Sequence, residues 1–278
     1  MDAVVTRDGQ PVLGLTADDF VLRDEGTPIP VELVGAASLP LVAVLAFDAS
    51  RSIAGAKLWA LQVAGAAFLE GLLPADQASL VTFNEEVTWV VPPTADKEQV
   101  ARALASLQPR GGTALFDGVY AATALPASPA RILVVVFSDG EDNVSWLDEG
   151  QVAGALSRSN ALVHVVGLVP LPETHTKSAL EDDDRVIARG MDDRHVKVLG
   201  RLAGATGGRF WSASSAQALR TTFAEIAESM RYRYVLRFEP PADLPSGWRR
   251  LEVKLRRGPG TVQARPGYWA RGRAGGAE

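Results

Sequence analysis

No cysteine occurs among the 278 residues. That excludes disulfides, thiolate metal sites and cysteine nucleophiles. Histidine is scarce, with three copies: His164 lies inside an apolar strand pattern, and His175 and His195 are isolated. His164 reads as a packed core residue, and no metal role is read for the other two. A long uninterrupted apolar run is missing as well. The most apolar stretch, IAGAKLWALQVAGAAFLEGLL, carries Lys57, Gln62 and Glu70, which fits a buried helix and not a membrane span. MDAVVTRDGQ does not have the pattern of a signal peptide, and Met1 equally fits an added start on a trimmed, exported protein.

What is present is a globular composition, 47% hydrophobic and 22% charged, in a chain long enough to bury a sizeable core. The net charge of −5 is unevenly spread. From Arg231 onward there are 11 Arg and Lys against 4 Asp and Glu, a surplus of +7, whereas the first 230 residues hold 17 against 29, or −12. The asymmetry predicts two units of different character.

Strand and helix patterns alternate through the middle of the chain. LVAVLAF (41–47), SLVTFN, VTWVV, RILVVVFSD and ALVHVVGLV read as strands. Helical patterns cover about Ile53 to Leu73, Lys97 to Leu107, a segment including Gln151 to Leu156, HVKVLGRLAGATGG, and Gln217 to Met230. Apolar strands without alternation, separated by helices, predict a doubly wound, mostly parallel α/β sheet covered on both faces.

The ends differ. Ile29, Val31 and Leu33 share one face of an extended run, Tyr232, Tyr234, Leu236 and Phe238 alternate mainly with arginines, and Leu251, Val253 and Leu255 alternate with charged residues. Period-two alternation predicts antiparallel strands with one wet face. Each terminal piece is too small to stand alone. The expected organisation is therefore a small antiparallel β-domain built from residues 1–36 and 231–270, with the α/β domain (37–230) inserted between them and a frayed tail at 271–278.

Three stretches at expected strand ends or in glycine-rich loops are rich in oxygen: DASRS with Asp48, Ser50 and Ser52, RGGTALFDG with Thr113, and VVVFSDGED with Asp139. In an open α/β sheet, ligands bind beyond the carboxyl ends of the strands. Three hydroxyls and two carboxylates, without imidazole or thiolate, suit Mg²⁺, Ca²⁺ or Mn²⁺ and argue against zinc or copper. This ordered set resembles the metal-ion-dependent adhesion site of von Willebrand factor A domains, a Rossmann-like fold, over roughly residues 37 to 230. The resemblance implies that Ser50 and Ser52 ligate directly, Thr113 directly or through water, and Asp48 and Asp139 mainly through water. It also implies that a final helix, here Gln217 to Met230, moves with the state of the metal site; the blander reading is a static strut that only orients the two domains. The flanks, PVLGLTADDFVLRDEGTPIPV, LAGATGGRFW, YRYVLRFEP and ARPGYWA, resemble bacterial exported proteins grouped as von Willebrand factor A-related acidobacterial domains, which implies an extracytoplasmic location.

Blander readings stand beside these. Asp48, Ser50 and Ser52 are also suited to capping the following helix and closing a turn. Glu141 and Asp142 read as solvated acids at a helix start, and the acidic stretch within 169–195 as a solvated loop in preference to a second cation site. RGGT lacks the lysine and spacing of a phosphate-binding loop. The C-terminal arginines read as the wet face of the β-domain, and no nucleic-acid site is expected. The expected function is non-enzymatic binding of a protein ligand whose carboxylate completes the metal coordination. A metal-stabilised scaffold is one alternative. A metal-dependent hydrolase is disfavoured, because no histidine or lysine sits in the motifs to act as a base.

Overall fold

The computed structural model describes residues 1–35, 39–124, 130–139, 142–168, 193–241 and 244–270. Five short strands come first among these: β1 (Asp2–Arg7), β2 (Gln10–Pro11), β3 (Phe20–Asp24), β4 (Thr27–Ile29) and β5 (Glu32–Val34). The α/β series begins with β6 (Leu41–Asp48), α1 (Ala56–Glu70), β7 (Gln77–Phe83), β8 (Val87–Thr94), α2 (Lys97–Ala105) and α3 (Leu115–Thr123). It continues with β9 (Arg131–Ser138), α4 (Glu149–Arg158), β10 (Leu162–Leu168), α5 (Asp193–Gly204), β11 (Phe210–Ala213) and α6 (Ala216–Ser229). β12 (Tyr234–Arg237), β13 (Gly247–Leu255), β14 (Thr261–Ala264) and β15 (Gly267–Ala270) close the described chain.

The central sheet has the order β11-β10-β9-β6-β7-β8, parallel except for the antiparallel edge strand β8. Every residue of β6 is buried, which explains its unbroken apolar run. Leu41, Ala43, Leu45 and Phe47 face a core completed by α1, α2 and α6, while Val42, Val44 and Ala46 face one completed by α3, α4 and α5. Phe47 meets Phe137 and Phe223 edge-on, with ring centroids 6.1 and 5.7 Å apart. Truncating a buried phenylalanine of this kind to alanine costs about 3–5 kcal/mol.

Both termini build the antiparallel part, in two sheets. One has the order β14-β1-β12-β5 with β2 attached to β1, the other β15-β13-β3-β4. Ala3 pairs with Tyr234, Val5 with Val262, Leu33 with Leu236 and Leu22 with Val253, so N- and C-terminal strands pair in both sheets and alternate in the first. Ala3, Val5, Phe20 and Leu236 form the small core between them. The run containing Ile29 and Leu33 does not stay on one face. Ile29 pairs with Leu22 in one sheet and Leu33 lies in the other, the chain crossing at Pro30, which has no N–H to continue a ladder. The turn joining β3 to β4 has positive φ at Glu25 (48°) and Gly26 (84°), as a tight hairpin with right-handed strand twist requires.

The antiparallel part sits at the amino ends of the central strands. Arg131, at the start of β9, donates to Asp2 Oδ1 (3.0 Å from Nε, 2.5 Å from Nη2) and to the carbonyl of Met230 at the end of α6. Gln263 donates to the Gly207 and Gly208 carbonyls, and Arg265 to Ser157 O. The C-terminal arginines are therefore not a uniform wet face: Arg233 is buried and Arg249 pairs with buried Asp24, whereas Arg237, Arg250, Arg256 and Arg257 are exposed. His175, Glu141, the 271–278 tail and nearly all of the 169–195 acidic stretch lie outside the described residues.

Candidate metal centre

Asp48 ends β6 and is fully buried. Its Oδ1 accepts the Ser50 amide at 2.8 Å and its Oδ2 accepts the Ser138 hydroxyl, at the end of neighbouring β9, at 2.7 Å. Burial pushes the Asp48 carboxyl up to about 6, opposed by the hydrogen bonds from Ser50 and Ser138 and reinforced by the charge of Asp139.

Beyond Asp48 the chain turns into a short 3-10 turn, Arg51–Ile53, before α1 starts after Gly55. Neither the turn nor α1 has a side-chain cap, so Asp48, Ser50 and Ser52 do not cap the helix. Asp48 closes the turn through the Ser50 amide, and the two serine hydroxyls point elsewhere. Ser52 Oγ donates to Asp139 Oδ1 at 2.8 Å, and Ser50 Oγ lies 3.0 Å from Ser52 Oγ. Each hydroxyl has one hydrogen, so the chain of donation runs Ser50 to Ser52 to Asp139. The other oxygen of Asp139 takes the ammonium of Lys57, from the first turn of α1. Sequence reading missed Lys57. It lies five residues beyond the DASRS turn, and the helix start brings it back over the strand ends.

Thr113 arrives on a loop laid against the same turn. Arg110 N donates to Ala49 O at 2.8 Å and Arg51 N to Gly111 O at 3.2 Å. Gly111 has φ of 68°, and a Cβ on Gly112 would stand 2.7 Å from Asn143 Oδ1, so both positions demand glycine. Asn143 grips Thr113 from both sides, its Oδ1 accepting the Thr113 amide at 2.9 Å and its own amide donating to Thr113 O at 3.0 Å. Thr113 is buried, with its backbone already satisfied.

Asp142 is not a solvated acid at a helix start. It is half-buried and accepts the Phe116 amide of α3 at 2.9 Å, together with the amide and hydroxyl of Ser145. Asp117 of α3 answers by accepting the Trp146 and Leu147 amides at 2.9 and 3.0 Å. This reciprocal pinning holds the 142–147 loop, on which Trp146 stands 94% exposed. The loop and α3 were not read from the sequence, because the carboxylates that fix them, Asp142 for α3 and Asp117 for the loop, act across a long chain separation and leave no local cap signal. His164 behaves as expected: it is buried, and its Nδ1 accepts the Arg209 amide at 3.2 Å and the Trp211 indole at 3.0 Å.

Among the described residues, no cluster of three or more acidic, histidine or cysteine side chains could hold a metal. The set assembled here is of another kind, hydroxyls beside two carboxylates. A divalent ion that takes all-oxygen ligands fits it, and the ammonium drawn onto Asp139 marks the position as one that favours positive charge.

Residues 43–141 match the family model described as the von Willebrand factor type A domain. A UPF0353 protein of Mycolicibacterium paratuberculosis is 28% identical over 212 residues, covering 70% of this chain and 62% of the relative. The chain thus spans less than two thirds of that relative's length. A von Willebrand factor type A protein from Catenulispora acidiphila superposes with a TM-score of 0.55 at 17% identity, covering 78% of this chain and 47% of the other. The vWF domain of the type V pili tip protein Mfa5 from Porphyromonas gingivalis gives 0.52 at 14% identity, covering 69% and 95%. At such identities the solved structures speak for the fold. The family match runs from within β6 to just past β9, so the α/β unit that carries the oxygen cluster is similar in sequence to von Willebrand factor type A domains and shares their fold.

Proposed function

We propose that this chain is a divalent-cation-dependent protein-binding module of an exported bacterial protein, with a carboxylate of the partner completing the coordination of the ion. The observation that carries the reading is the convergence of Asp48, Ser50, Ser52 and Asp139 into one hydrogen-bonded cluster, with the Thr113 loop laid against it. Ser50, Ser52 and Thr113 would hold the ion, and Asp48 and Asp139 would act directly or through one water. Mg²⁺ is the first choice, with Ca²⁺ or Mn²⁺ as substitutes. Neutral hydroxyls leave most of the ion's charge uncancelled, so it remains able to attract an anionic group.

The protein surface around the cluster suits a partner. Trp146 offers a large exposed aromatic on a loop whose amides are fixed, and such side chains dominate interface energies. The pili tip protein supports a location outside the cytoplasm, and no described helix is long and apolar enough to cross a membrane. A hydrolase reading was disfavoured in the sequence because no lysine sat in the motifs. Folding brings Lys57 there, but as the charge partner of Asp139, whereas a hydrolase needs a free base beside its nucleophile.

The test is a pull-down from native cell-envelope material with the intact chain, run with Mg²⁺ and again with chelator. The account expects a partner retained only with Mg²⁺ and lost with Thr113→Ala. Retention that ignores both chelator and the substitution would contradict a cation-dependent contact, and no retained partner under either condition would leave the scaffold reading.

A further inference from the structure

Lys57 is the one positively charged group paired with the oxygen cluster among the described residues, and nothing in the proposed function uses it. Its side chain is 12% exposed and that of Asp139 2%, so the ion pair is largely withdrawn from water. Both oxygens of Asp139 are thereby committed, one to the Ser52 hydroxyl and the other to the ammonium. Ser52 is in turn the neighbour of Ser50. The ammonium therefore touches the same carboxylate through which a bound ion would be linked to the serines.

We propose that Lys57 is a tethered cation that competes with the divalent ion for Asp139 and so sets the affinity of the site. The inference rests on the metal-site reading above. Two like charges that share one carboxylate at low water content repel strongly. To admit the ion in contact with Asp139 or one water away, the ammonium must withdraw or tolerate that repulsion, and in either case affinity falls. Withdrawal is feasible: lysine is a point charge on a flexible four-carbon stem, and this one already borders solvent. Without the ion, Lys57 keeps the Asp139 charge compensated, which protects the cluster from an unpaired buried carboxylate. The device makes the site responsive to the concentration of free cation instead of permanently filled.

Isothermal titration of the full chain with MgCl₂, and with MnCl₂ as a second probe, tests this on wild type, Lys57→Met, Lys57→Arg and Thr113→Ala. Methionine keeps the stem and removes the charge. The expected result is binding at least about tenfold tighter in Lys57→Met, and no tightening in Lys57→Arg. In thermal melts, Lys57→Met should fall below wild type without cation and gain more than wild type when cation is added. Equal or weaker binding by Lys57→Met, with binding still abolished by Thr113→Ala, overturns the role of Lys57 and leaves the metal site standing. No binding by either wild type or Lys57→Met overturns the site itself, and this inference with it.

Discussion

The Oδ2 of Asp48 accepts the hydroxyl of Ser138 at 2.7 Å, tying together the carboxyl ends of two adjacent central strands, β6 and β9. The tie holds a carboxylate where water cannot reach it. Its pKa is raised from the unfolded value of 3.8 to about 6. A raised carboxyl contributes stability that is fully present below 3.8 and lost as pH rises through 6, so ionised Asp48 opposes folding at neutral pH by on the order of 3 kcal/mol. On the proposed metal-site reading, a cation bound beside Asp48 would offset this cost. Asp48→Asn, in about pH 7.5 buffer with chelator, should melt at or above wild type, and its melting should no longer respond to Mg²⁺. A variant that melts lower and still responds to Mg²⁺ would contradict this.

Thr113→Ala removes a hydroxyl and leaves the backbone bonds with Asn143 in place. Its melting temperature without cation should match wild type. Wild type should gain roughly 2.7 kcal/mol at about 100 times the Kd of the ion, and the variant none. Calorimetric melts with and without Mg²⁺ decide this, and equal gains in both proteins would remove Thr113 from the site.

His164 gives the fold a pH limit of its own. Burial holds it well below the ordinary imidazole value of about 6.5, helped by the nearby Arg233 charge. A base whose folded pKa is depressed is neutral in the folded state, while the unfolded chain takes up a proton below 6.5, so stability is constant above that value and falls as pH drops through it. Between about pH 7.5 and 5.5 this costs roughly 1.4 kcal/mol. Asp48 changes in the opposite sense over the same range, so the comparison must be made against His164→Gln, which lacks only the histidine contribution. Denaturant titrations that show parallel pH dependence in both proteins would refute the assignment.

Arg131 joins the two parts of the molecule, holding Asp2 of β1 and the Met230 carbonyl at the end of α6. Its side chain is nearly buried, and removing one partner of such a pair costs about 3 kcal/mol. α6 is also fixed along its length, by Phe223 against Phe47 and Phe68 and by Ala227 against Gly71. Of the two readings of this helix, these contacts favour the strut. Arg131→Met should lose about 3 kcal/mol in urea and bind Mg²⁺ with wild-type affinity. A shift in affinity would make α6 a transmitter of site occupancy instead, because coupling between sites is reciprocal.

The central strands were legible because burial on both faces leaves continuous apolar runs such as 41–47, which no loop tolerates. The pairing of N- and C-terminal strands was legible because neither alternating piece is stable alone. The short strand β11 escaped, since four residues after a glycine pair carry little periodicity. So did α3, whose start is held by Asp142 from a distant loop instead of by a local cap. Asp48, Ser50, Ser52, Thr113 and Asp139 could be picked out because each stands at a strand end or in a glycine-rich loop. Lys57 could not: on paper it is one polar residue in an apolar helix, and only the fold turns it onto Asp139.

The central claim is that one divalent ion sits among these oxygens, and the most direct test is an anomalous difference map from crystals of the full chain grown in saturating MnCl₂. The account predicts a single strong peak in contact with the Ser50 and Ser52 hydroxyls, on the side facing Thr113, and no such peak in Ser50→Ala crystals. A map without density there, or with manganese only at other places on the surface, would contradict it.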